Sequence, residues 1–388
     1  MLFKTVALGI SGGVDSAVAA HLLKNRGFQV KGVFMRNWDI ADEKTMCTGD
    51  RDWEDAQRVC RHLGIPLIHV NFVKEYWNNV FRDFLRDYES GYTPNPDILC
   101  NRYIKFDHFF SYATNKEKLA ADAIATGHYA KTNFGNFLEH YTKNRNVKLL
   151  QAKDTFKDQT FFLSRVPQKA LRRTMFPLGD MTKGEVKKLA LESGMGFLLK
   201  KKESTGICFI GHRNFQDFIS EYIATKPGQF IDIDSNSVVG HHSGFHYWTV
   251  GQRCRLAGNN DAYFVAQKDP STNTIYVAQG TKNPALFSSK FYVEAPYWID
   301  ENSIPKLEDG FECQFRFQHT KPLTKCRLER NPDIPEKILV TLERPLRAIT
   351  PGQYAVFYGN EDCYGCARIL SPICGEKPLE CEYKLDSN

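Results

Sequence analysis

The sequence of 388 residues has no long apolar run, no internal repeat and no low-complexity tract. Without a run of about 18 apolar residues, no predicted helix can span a bilayer. The sequence also lacks a large excess of either charge, because 51 lysine and arginine residues and 45 aspartate and glutamate residues leave a net charge of only +6. The composition, 42% apolar and 25% charged, excludes collagen-like, mucin-like and disordered proteins. The balance of charge permits a phosphate-bearing partner without requiring one.

The first residues resemble neither a secretory signal nor an arginine- and serine-rich transit peptide. The chain has 11 cysteines, an odd number, so a disulfide framework is not predicted and reduced thiols are expected. From the residues alone we expect a soluble intracellular protein, with no membrane partner, of roughly two to three domains.

Strand and helix patterns alternate in the first part of the chain. Apolar runs predict strands over 5–10, 30–35, 66–72 and 123–126. Helical spacing predicts helices over 16–26, 52–63 and 74–88, and another that starts near residue 97. This alternation predicts an α/β fold with a doubly wound parallel sheet.

Short strands dominate after about residue 210. One last helix is predicted over 215–222, followed by the strands 230–233, 245–250, 263–267 and 274–278, with a hairpin turn at 270–273. Beyond about residue 285 the apolar period is two, which predicts strands over 311–318, 338–342, 354–358 and 366–370 and a small antiparallel β-barrel. We therefore predict a first domain over 1–210, a small mostly-β domain over 211–284 and a C-terminal barrel over 285–388.

The first predicted strand runs directly into the string SGGVDS, residues 11–16, and then into a helix. Two glycines allow close approach of the backbone to an anion. Successive N–H groups and the helix N-terminus then face that anion. The string is neither a Walker A loop nor a dinucleotide fingerprint. It resembles the pyrophosphate loop of the ATP-pyrophosphatase superfamily.

Two cysteines lie in distinctive loops. Cys100 follows the proline-broken segment Asn95-Pro96-Asp97, where a helix dipole favours a thiolate. Cys208 follows the basic run at 200–202. Such cysteines indicate sulfur chemistry, although each is also compatible with a small buried side chain.

Strings spread over most of the chain resemble those of the tRNA-specific 2-thiouridylases. They are SGGVDS, FMRNW, TPNPDILCN, KFDHF, ATGHYA, KDQTFFLS, FPLGDMTK and STGICFIG, with weaker matches at TVGQR, FRFQH and TPGQYAVFY. The ESTGICFIG and FRF strings are similar to the animal mitochondrial branch. The resemblance implies an adenine nucleotide α-hydrolase-like catalytic domain and a mitochondrial location; without it, a cytoplasmic location is expected.

The resemblance implies ATP-dependent replacement of the 2-carbonyl oxygen of the wobble uridine by sulfur. The implied ATP-binding residues are Gly9, Ile10, Ser11, Gly12, Gly13, Val14, Asp15, Ser16, Met35 and Gly127. Mg²⁺ is expected with ATP, without a dedicated protein metal site and without a tightly bound organic cofactor. Cys208 is the implied persulfide carrier, Cys100 the second cysteine that forms a transient Cys100–Cys208 disulfide with it, and Asp97 the general acid or base.

The resemblance also implies a set of contacts to the target base and the tRNA. These residues are Asn95, Pro96, Asp97, His128, Lys157, Asp158, Gln159, Arg316, Phe317 and Gln353. The implied partners are tRNAs for Lys, Glu and Gln, which would be met at the anticodon loop, and a protein that donates persulfide sulfur. A monomer is expected.

Two alternatives stay open from the residues. The chain could be another pyrophosphate-loop ligase or amidotransferase, or a non-catalytic RNA-binding module. The sequence departs from the family after GQR, where the usual glycine-rich loop is reduced over residues 255–260. Cys363, Cys366, Cys374 and Cys381 have spacing that mimics a zinc ligand set, although the family implies no zinc there.

Overall fold

A computed structural model describes residues 2–38, 48–201, 209–210, 213–256, 262–303, 307–331, 334 and 336–372. A five-stranded sheet lies at its N-terminal end, and all of its strand pairs are parallel. In spatial order its strands are Leu67–Asn71, Gln29–Arg36, Thr5–Gly9, Ala123–Ala125 and Thr174–Met175. The central strand is buried because helices and neighbouring strands cover it, which explains its continuous apolar run.

Helices connect and cover these strands. Their bounds are Val14–Asn25, Thr48–Leu63, Val73–Tyr76, Arg82–Glu89, Pro96–Leu99, Phe109–Thr114, Thr160–Leu163, Gln168–Leu171, Lys183–Glu192 and Phe215–Ser220. Short 3₁₀ turns occupy Gly196–Lys200, Phe245–Tyr247, Pro284–Leu286, Glu301–Ser303 and Leu307–Asp309. Among the described residues, none of the helices combines the length and apolar character that crossing a membrane requires.

Two helices contain π-type segments that the sequence patterns do not reveal. Trp77–Phe81 joins Val73–Tyr76 to Arg82–Glu89, so that the predicted helix 74–88 exists with one widened turn. Cys100–His108 likewise joins Pro96–Leu99 to Phe109–Thr114. Segments of this kind are rare and are frequent at functional sites.

The middle of the chain forms a second, mostly antiparallel sheet. In spatial order its strands are Arg253–Cys254, Tyr263–Asp269, Thr274–Gln279, Gly228–Asp232 and Val238–His242. The predicted hairpin turn at 270–273 is confirmed by the antiparallel pairing on either side of it. The predicted strand over 245–250 is wrong. Phe245 and Trp248 have the i, i+3 spacing of a 3₁₀ turn, and both pack onto the core of this sheet instead of pairing as a strand.

The C-terminal part forms a closed antiparallel barrel. Around the barrel its strands are Phe287–Val293, Ile338–Arg347, Thr324–Arg330, Phe311–Arg316, Tyr354–Gly359 and Asp362–Pro372, the last of which pairs again with the first. The barrel has its own apolar core, as the period-two pattern predicts. The predicted α/β, mostly-β and barrel architecture is therefore confirmed.

The N-terminal part extends the barrel sheet by two short strands, which the sequence did not predict. Leu149–Leu150 pairs with Asp362 and Cys363, and Lys131–Thr132 pairs in turn with Leu149–Leu150. Tyr297–Trp298 adds a further pairing to the same long strand. The barrel and the parallel-sheet region are thus joined by main-chain hydrogen bonds and not by a linker alone.

Candidate active site

The loop after the first strand has the geometry of an anion-binding turn. Gly12 has a φ of +73°, and a Cβ there would lie 2.3 Å from the backbone oxygen of Asp52, so only glycine fits. The Ser11 amide donates to Ser16 Oγ at 3.2 Å, and Ser16 Oγ donates to the Gly13 carbonyl at 3.0 Å. Gly13 is the N-cap of Val14–Asn25 and offers no side chain to cap it. The first amides of that helix can therefore face a phosphate.

The fourth strand brings Gly127 against this loop. A Cβ on Gly127 would lie 2.8 Å from the Ser16 amide nitrogen, so the two backbones could not approach so closely with a larger residue. Met35 reaches the loop from the neighbouring strand, since its Cε is 3.2 Å from the ideal Cβ position of Gly9. Ile10 and Val14 are buried beneath it. The structure thus brings the sequence-predicted nucleotide residues together at one sheet edge.

Two side chains that the sequence reasoning missed hold Asp15. Lys183 Nζ lies 2.7 and 2.8 Å from the two carboxylate oxygens, and Tyr129 OH donates to one of them at 2.8 Å. Lys183 starts the helix Lys183–Glu192, whose N-cap Thr182 forms a capping box with Glu185. In the sequence, the feature that could have pointed to Lys183 is the FPLGDMTK string, which ends at this residue.

The TPNPD segment opens the helix that carries Cys100. Asn95 caps this helix by accepting from the Ile98 amide at 3.4 Å, and Pro96 occupies its first turn. Cys100 is buried and begins the π-type segment. Because π hydrogen bonds span five residues, Lys105 lies about one turn beyond Cys100 on the same side of the helix.

Asp97 and Lys105 lie on this helix, and Lys105 contacts His128 at the end of the fourth strand. Lys105 Nζ is 3.4 Å from His128 Nε2, and His128 Nδ1 is 2.8 Å from Thr126 Oγ1. Burial holds the pKa of His128 well below its usual value, and the Lys105 charge adds to that effect, so the imidazole is neutral at physiological pH.

Asp97 is open to solvent on one side although protein atoms surround most of its carboxyl group. This partial desolvation raises the pKa of Asp97, and the positive charge of Lys105 opposes the rise. A carboxyl group in such an environment is suited to proton transfer. Lys105 was also missed at the sequence level, although it lies in the KFDHF string.

The barrel contributes Gln353 to the same region. Its Oε1 accepts from Asn95 Nδ2 at 3.2 Å, and its Nε2 donates to the carbonyls of Thr93 and Pro94 at 2.9 and 3.1 Å. Gln353 therefore fixes the TPNPD segment through three hydrogen bonds, in addition to any contact with RNA that the resemblance predicts for it.

Asp158 and Arg316 form a buried ion pair at 2.5 Å, with side chains 1% and 7% exposed. Arg316 also donates to Tyr358 OH at 3.2 Å, and Phe317 is buried in the barrel core. These contacts hold the barrel against the catalytic part. RNA contact by these three residues remains a prediction.

Lys157 and Gln159, the neighbours of Asp158 in the KDQ string, are less buried than Asp158. Gln159 exchanges hydrogen bonds with the backbone of Tyr129, next to His128, while Lys157 lies in a half-buried turn beside the 91% exposed Phe156. Gln159 therefore links this string to the phosphate-binding side of the cleft.

Cys208 lies outside the described residues, and so does its predicted pairing with Cys100. The residue after it, Phe209, is completely buried, with ring centroids of Trp38, Phe81 and Phe84 at 5.0 to 5.5 Å. In the basic run that precedes Cys208, Lys201 forms ion pairs with Asp52 and Asp55, and Lys202 is outside the described residues. The chain is therefore anchored in the core at Phe209.

Cysteine and histidine residues do not assemble a metal site in the part of the chain that the structure describes, where no group of three potential ligands occurs. Cys363 and Cys366 are both buried in the barrel strand, while Cys374 and Cys381 lie outside the described residues. For a nucleotide-bound cation, the oxygen ligand that this loop offers is the carboxylate of Asp15.

Comparisons with known proteins agree with this geometry. Residues 4–212 match the tRNA methyl transferase HUP domain, 216–279 the tRNA methyl transferase PRC-barrel domain and 288–369 the aminomethyltransferase beta-barrel domain. The mitochondrial tRNA-specific 2-thiouridylase 1 of Drosophila melanogaster is 58% identical over 372 residues, which cover 95% of both chains.

Relatives of similar length occur in other organisms. The human mitochondrial tRNA-specific 2-thiouridylase 1 is 48% identical over 94% of this chain and 90% of its own. The tRNA-specific 2-thiouridylase MnmA of Staphylococcus aureus is 44% identical over 94% of both chains. Identity at this level over nearly the whole length shows that the chain belongs to the mitochondrial tRNA-specific 2-thiouridylase family.

Proposed function

We propose that the chain replaces the 2-carbonyl oxygen of the wobble uridine of tRNA by sulfur and uses ATP to activate that oxygen. One observation carries this proposal beyond family membership. In the dipeptide Gly127-His128, Gly127 packs against Ser16 of the phosphate-type loop. His128 contacts Lys105, which lies on the same helix as Asp97. A bound nucleotide and a base held at the Asn95–Asp97 segment would therefore share one cleft.

Activation begins at the loop of residues 9–16. The amides of this loop hold the ATP phosphates, and Lys183 lies where it can neutralise part of their charge. Mg²⁺ bound with ATP supplies further charge neutralisation. The uridine oxygen attacks the α-phosphorus, pyrophosphate leaves, and the oxygen becomes part of an adenylate whose departure as AMP is easy.

Sulfur transfer uses the two cysteines. The terminal sulfur of a persulfide on Cys208 attacks C2, and AMP leaves with the former carbonyl oxygen. The Cys100 thiolate then attacks the Cys208 sulfur, which releases the thiocarbonyl and forms the Cys100–Cys208 disulfide. An external thiol reductant returns two electrons to this disulfide. Asp97 handles the proton changes at the base.

Recognition of the RNA follows from the same cleft. The anticodon loop is already single-stranded, which lowers the cost of extruding its base. Asn95, Pro96 and His128 line the base position, and Lys157, Gln159 and Gln353 belong to the predicted tRNA-contacting surface. For the buried residues Asp158, Arg316 and Phe317 we propose that they support this surface from beneath. We further propose the tRNAs for Lys, Glu and Gln as substrates, a persulfide-bearing donor protein, a monomer, and the domain division 1–210, 211–284 and 285–388.

The test is a reaction of the purified chain with ATP, a persulfide donor and an anticodon stem-loop RNA. We expect AMP and a mass gain in the RNA that corresponds to exchange of oxygen for sulfur. Cys208→Ser should abolish persulfide-dependent thiolation and AMP release while pyrophosphate release continues, whereas Cys100→Ser should release AMP once and stop with the RNA joined to Cys208 through a disulfide. Amination of the product would favour the ligase alternative, and absence of AMP would favour a non-catalytic RNA-binding module.

A further inference from the structure

Two cysteines face each other on neighbouring strands of the C-terminal barrel. Cys313 lies in the strand Phe311–Arg316 and Cys326 in the strand Thr324–Arg330, and the two are direct partners in the antiparallel register. Directly opposite residues of such a pair project their side chains to the same face of the sheet. The two Sγ atoms are 3.6 Å apart, and both thiols are free. Neither cysteine belongs to the nucleotide, base or sulfur-transfer residues described above.

The strand pairing around these cysteines is compatible with a disulfide bond. A disulfide joins residues whose Cα atoms are about 4.4–6.8 Å apart, and directly opposite residues of antiparallel strands lie about 4.5–5.5 Å apart. The two sulfur atoms must approach by roughly 1.6 Å to reach the S–S bond length of about 2.05 Å. Rotation of the two side chains about their Cα–Cβ bonds can supply this movement, so the register of the strands does not have to change.

The two thiols differ in their access to solvent. Cys326 belongs to the buried core of the barrel and is 5% exposed, whereas Cys313 packs against that core and is only half-buried. The contact with Cys313 and the burial both raise the pKa of the Cys326 thiol. Cys313 is therefore the thiol that a dissolved oxidant reaches first, and Cys326 is a second thiol held beside it.

Two other barrel cysteines lie on a strand that is not adjacent to either of these. Cys363 and Cys366 are buried in the strand Asp362–Pro372, and the strand Tyr354–Gly359 lies between it and the strand of Cys313. Strands two positions apart in a sheet are separated by about 10 Å. The register therefore selects Cys326 as the disulfide partner of Cys313 over these two cysteines.

We propose that Cys313 and Cys326 form a reversible oxidation site, at which hydrogen peroxide converts the two thiols into a disulfide. The Cys313 thiolate attacks one peroxide oxygen, the O–O bond breaks, and Cys313 becomes a sulfenic acid while the other oxygen leaves as water. The Cys326 thiol then attacks the Cys313 sulfur, and the sulfenic hydroxyl leaves as a second water. The two thiols lose two electrons, which the peroxide gains. An external thiol reverses the reaction by returning two electrons to the disulfide.

Oxidation at this site would stabilise the part of the barrel that contacts the catalytic part. The strand of Cys313 ends at Arg316, whose side chain forms the buried ion pair with Asp158. A disulfide to Cys326 links this strand covalently to its neighbour and restricts the unfolded chain. The oxidised chain should therefore unfold at a midpoint at least about 3 °C above that of the reduced chain.

The test treats the reduced full chain with a small excess of hydrogen peroxide, alkylates the remaining thiols and maps disulfides by mass spectrometry. We expect a link between Cys313 and Cys326, with the loss of two hydrogen atoms, that dithiothreitol removes. Cys313→Ser and Cys326→Ser should each abolish the link, and Cys326→Ser should leave a sulfenic acid on Cys313 that dimedone traps. Cys254→Ser, which removes a 3% exposed cysteine of the middle sheet, is the matched control and should form the link as the wild type does.

The map of the wild-type chain decides the question even if a variant does not fold. Alkylation of both Cys313 and Cys326 after peroxide treatment, or a link from either one to a different cysteine, overturns the proposal. Cys363 and Cys366 serve as an internal control in the same digest and should remain alkylated. Equal unfolding midpoints of the linked and the reduced chain would overturn the stabilising effect. These readouts do not involve thiolation of RNA, so their failure is distinguishable from failure of the proposed function.

Discussion

At the scale of single residues, one lysine contacts the SGGVDS loop and another lies on the helix that carries Cys100. Lys183 is 13% exposed and pairs with Asp15, the acidic residue of the loop. Lys105 lies between Asp97 and His128 and influences the pKa of both. Neither lysine stands out by composition, since each is one of 51 basic residues. Their partners define their roles.

Lys183→Met should slow ATP-dependent AMP formation by about 10²-fold, the usual effect of losing one preorganised group that stabilises developing charge. The substitution also leaves the Asp15 carboxylate uncompensated next to the phosphates. Quantifying AMP release under saturating RNA would test this. Lys188→Met on the same helix, whose lysine is 77% exposed, should retain wild-type rates. Equal rates for both variants would contradict the role of Lys183.

Lys105→Met should move the acidic limb of the thiolation pH profile to higher pH. The positive charge of Lys105 lowers the pKa of Asp97 against the effect of desolvation. Removing that charge raises the pKa, so less Asp97 is ionised at a given pH. Single-turnover rates across pH would measure the shift, and Lys105→Arg should restore the original limb. If the acidic limb of Lys105→Met coincides with that of the wild type, Lys105 does not lower the pKa of Asp97.

At the scale of elements, an aromatic cluster surrounds Phe209, the residue that follows Cys208 in the sequence. Phe209 packs in it against residues of two helices and of the strand exit at Trp38, which belongs to the FMRNW string. Trp38 also stacks on Trp77, with ring centroids 5.7 Å apart. The cluster therefore anchors Phe209 in the core of the first part.

Phe209→Ala should lower the free energy of unfolding by about 3–5 kcal/mol, because it removes a fully buried ring and leaves a cavity. Urea unfolding followed by tryptophan fluorescence would report it. Phe156→Ala offers a matched control, since Phe156 is 91% exposed and its loss should change the unfolding free energy by less than about 0.5 kcal/mol. A similar small effect at Phe209 would show that the cluster does not stabilise this segment.

At the scale of the whole molecule, the barrel and the catalytic part share one interface. The interface combines the strand pairing of Leu149–Leu150 with the barrel, the hydrogen bonds of Gln353 to the TPNPD segment and the buried pair of Asp158 and Arg316. Thr160 and Ala152 add hydrogen bonds to the Asp158 carboxylate. The barrel of this 2-thiouridylase therefore fixes the position of the TPNPD segment in the catalytic part.

Arg316→Met should destabilise this interface by about 3–5 kcal/mol, because it leaves the Asp158 carboxylate buried without its counter-ion. Calorimetric unfolding and limited proteolysis between the two parts would detect the change. Adding Asp158→Asn should recover part of the loss, which a simple loss of packing would not predict. Arg327→Met removes an exposed barrel arginine and should leave the unfolding midpoint unchanged. Equal midpoints for Arg316→Met and Arg327→Met would refute the role of the pair.

The local pattern of the amino-acid sequence determined most helices and strands and the SGGVDS loop. The alternation of apolar runs and helical spacing predicted the parallel sheet, the period of two predicted the barrel, and SGGVDS predicted the turn between the first strand and helix. These features depend on neighbours within one or two turns, so the residues that produce them are close in sequence. The strand predicted over 245–250 failed because its aromatic residues pack onto the small sheet, a tertiary preference that outweighs local propensity.

Only the tertiary structure decided which distant groups meet. Gln353 and Asn95 are 258 positions apart, and Arg316 and Asp158 are 158 apart, yet both pairs are in hydrogen-bond contact. Lys105 reaches His128 because a π-type segment and the end of a parallel strand converge. Local periodicity holds no information about such pairs, since strand order, barrel closure and the added strands that select them form only when the separate cores pack.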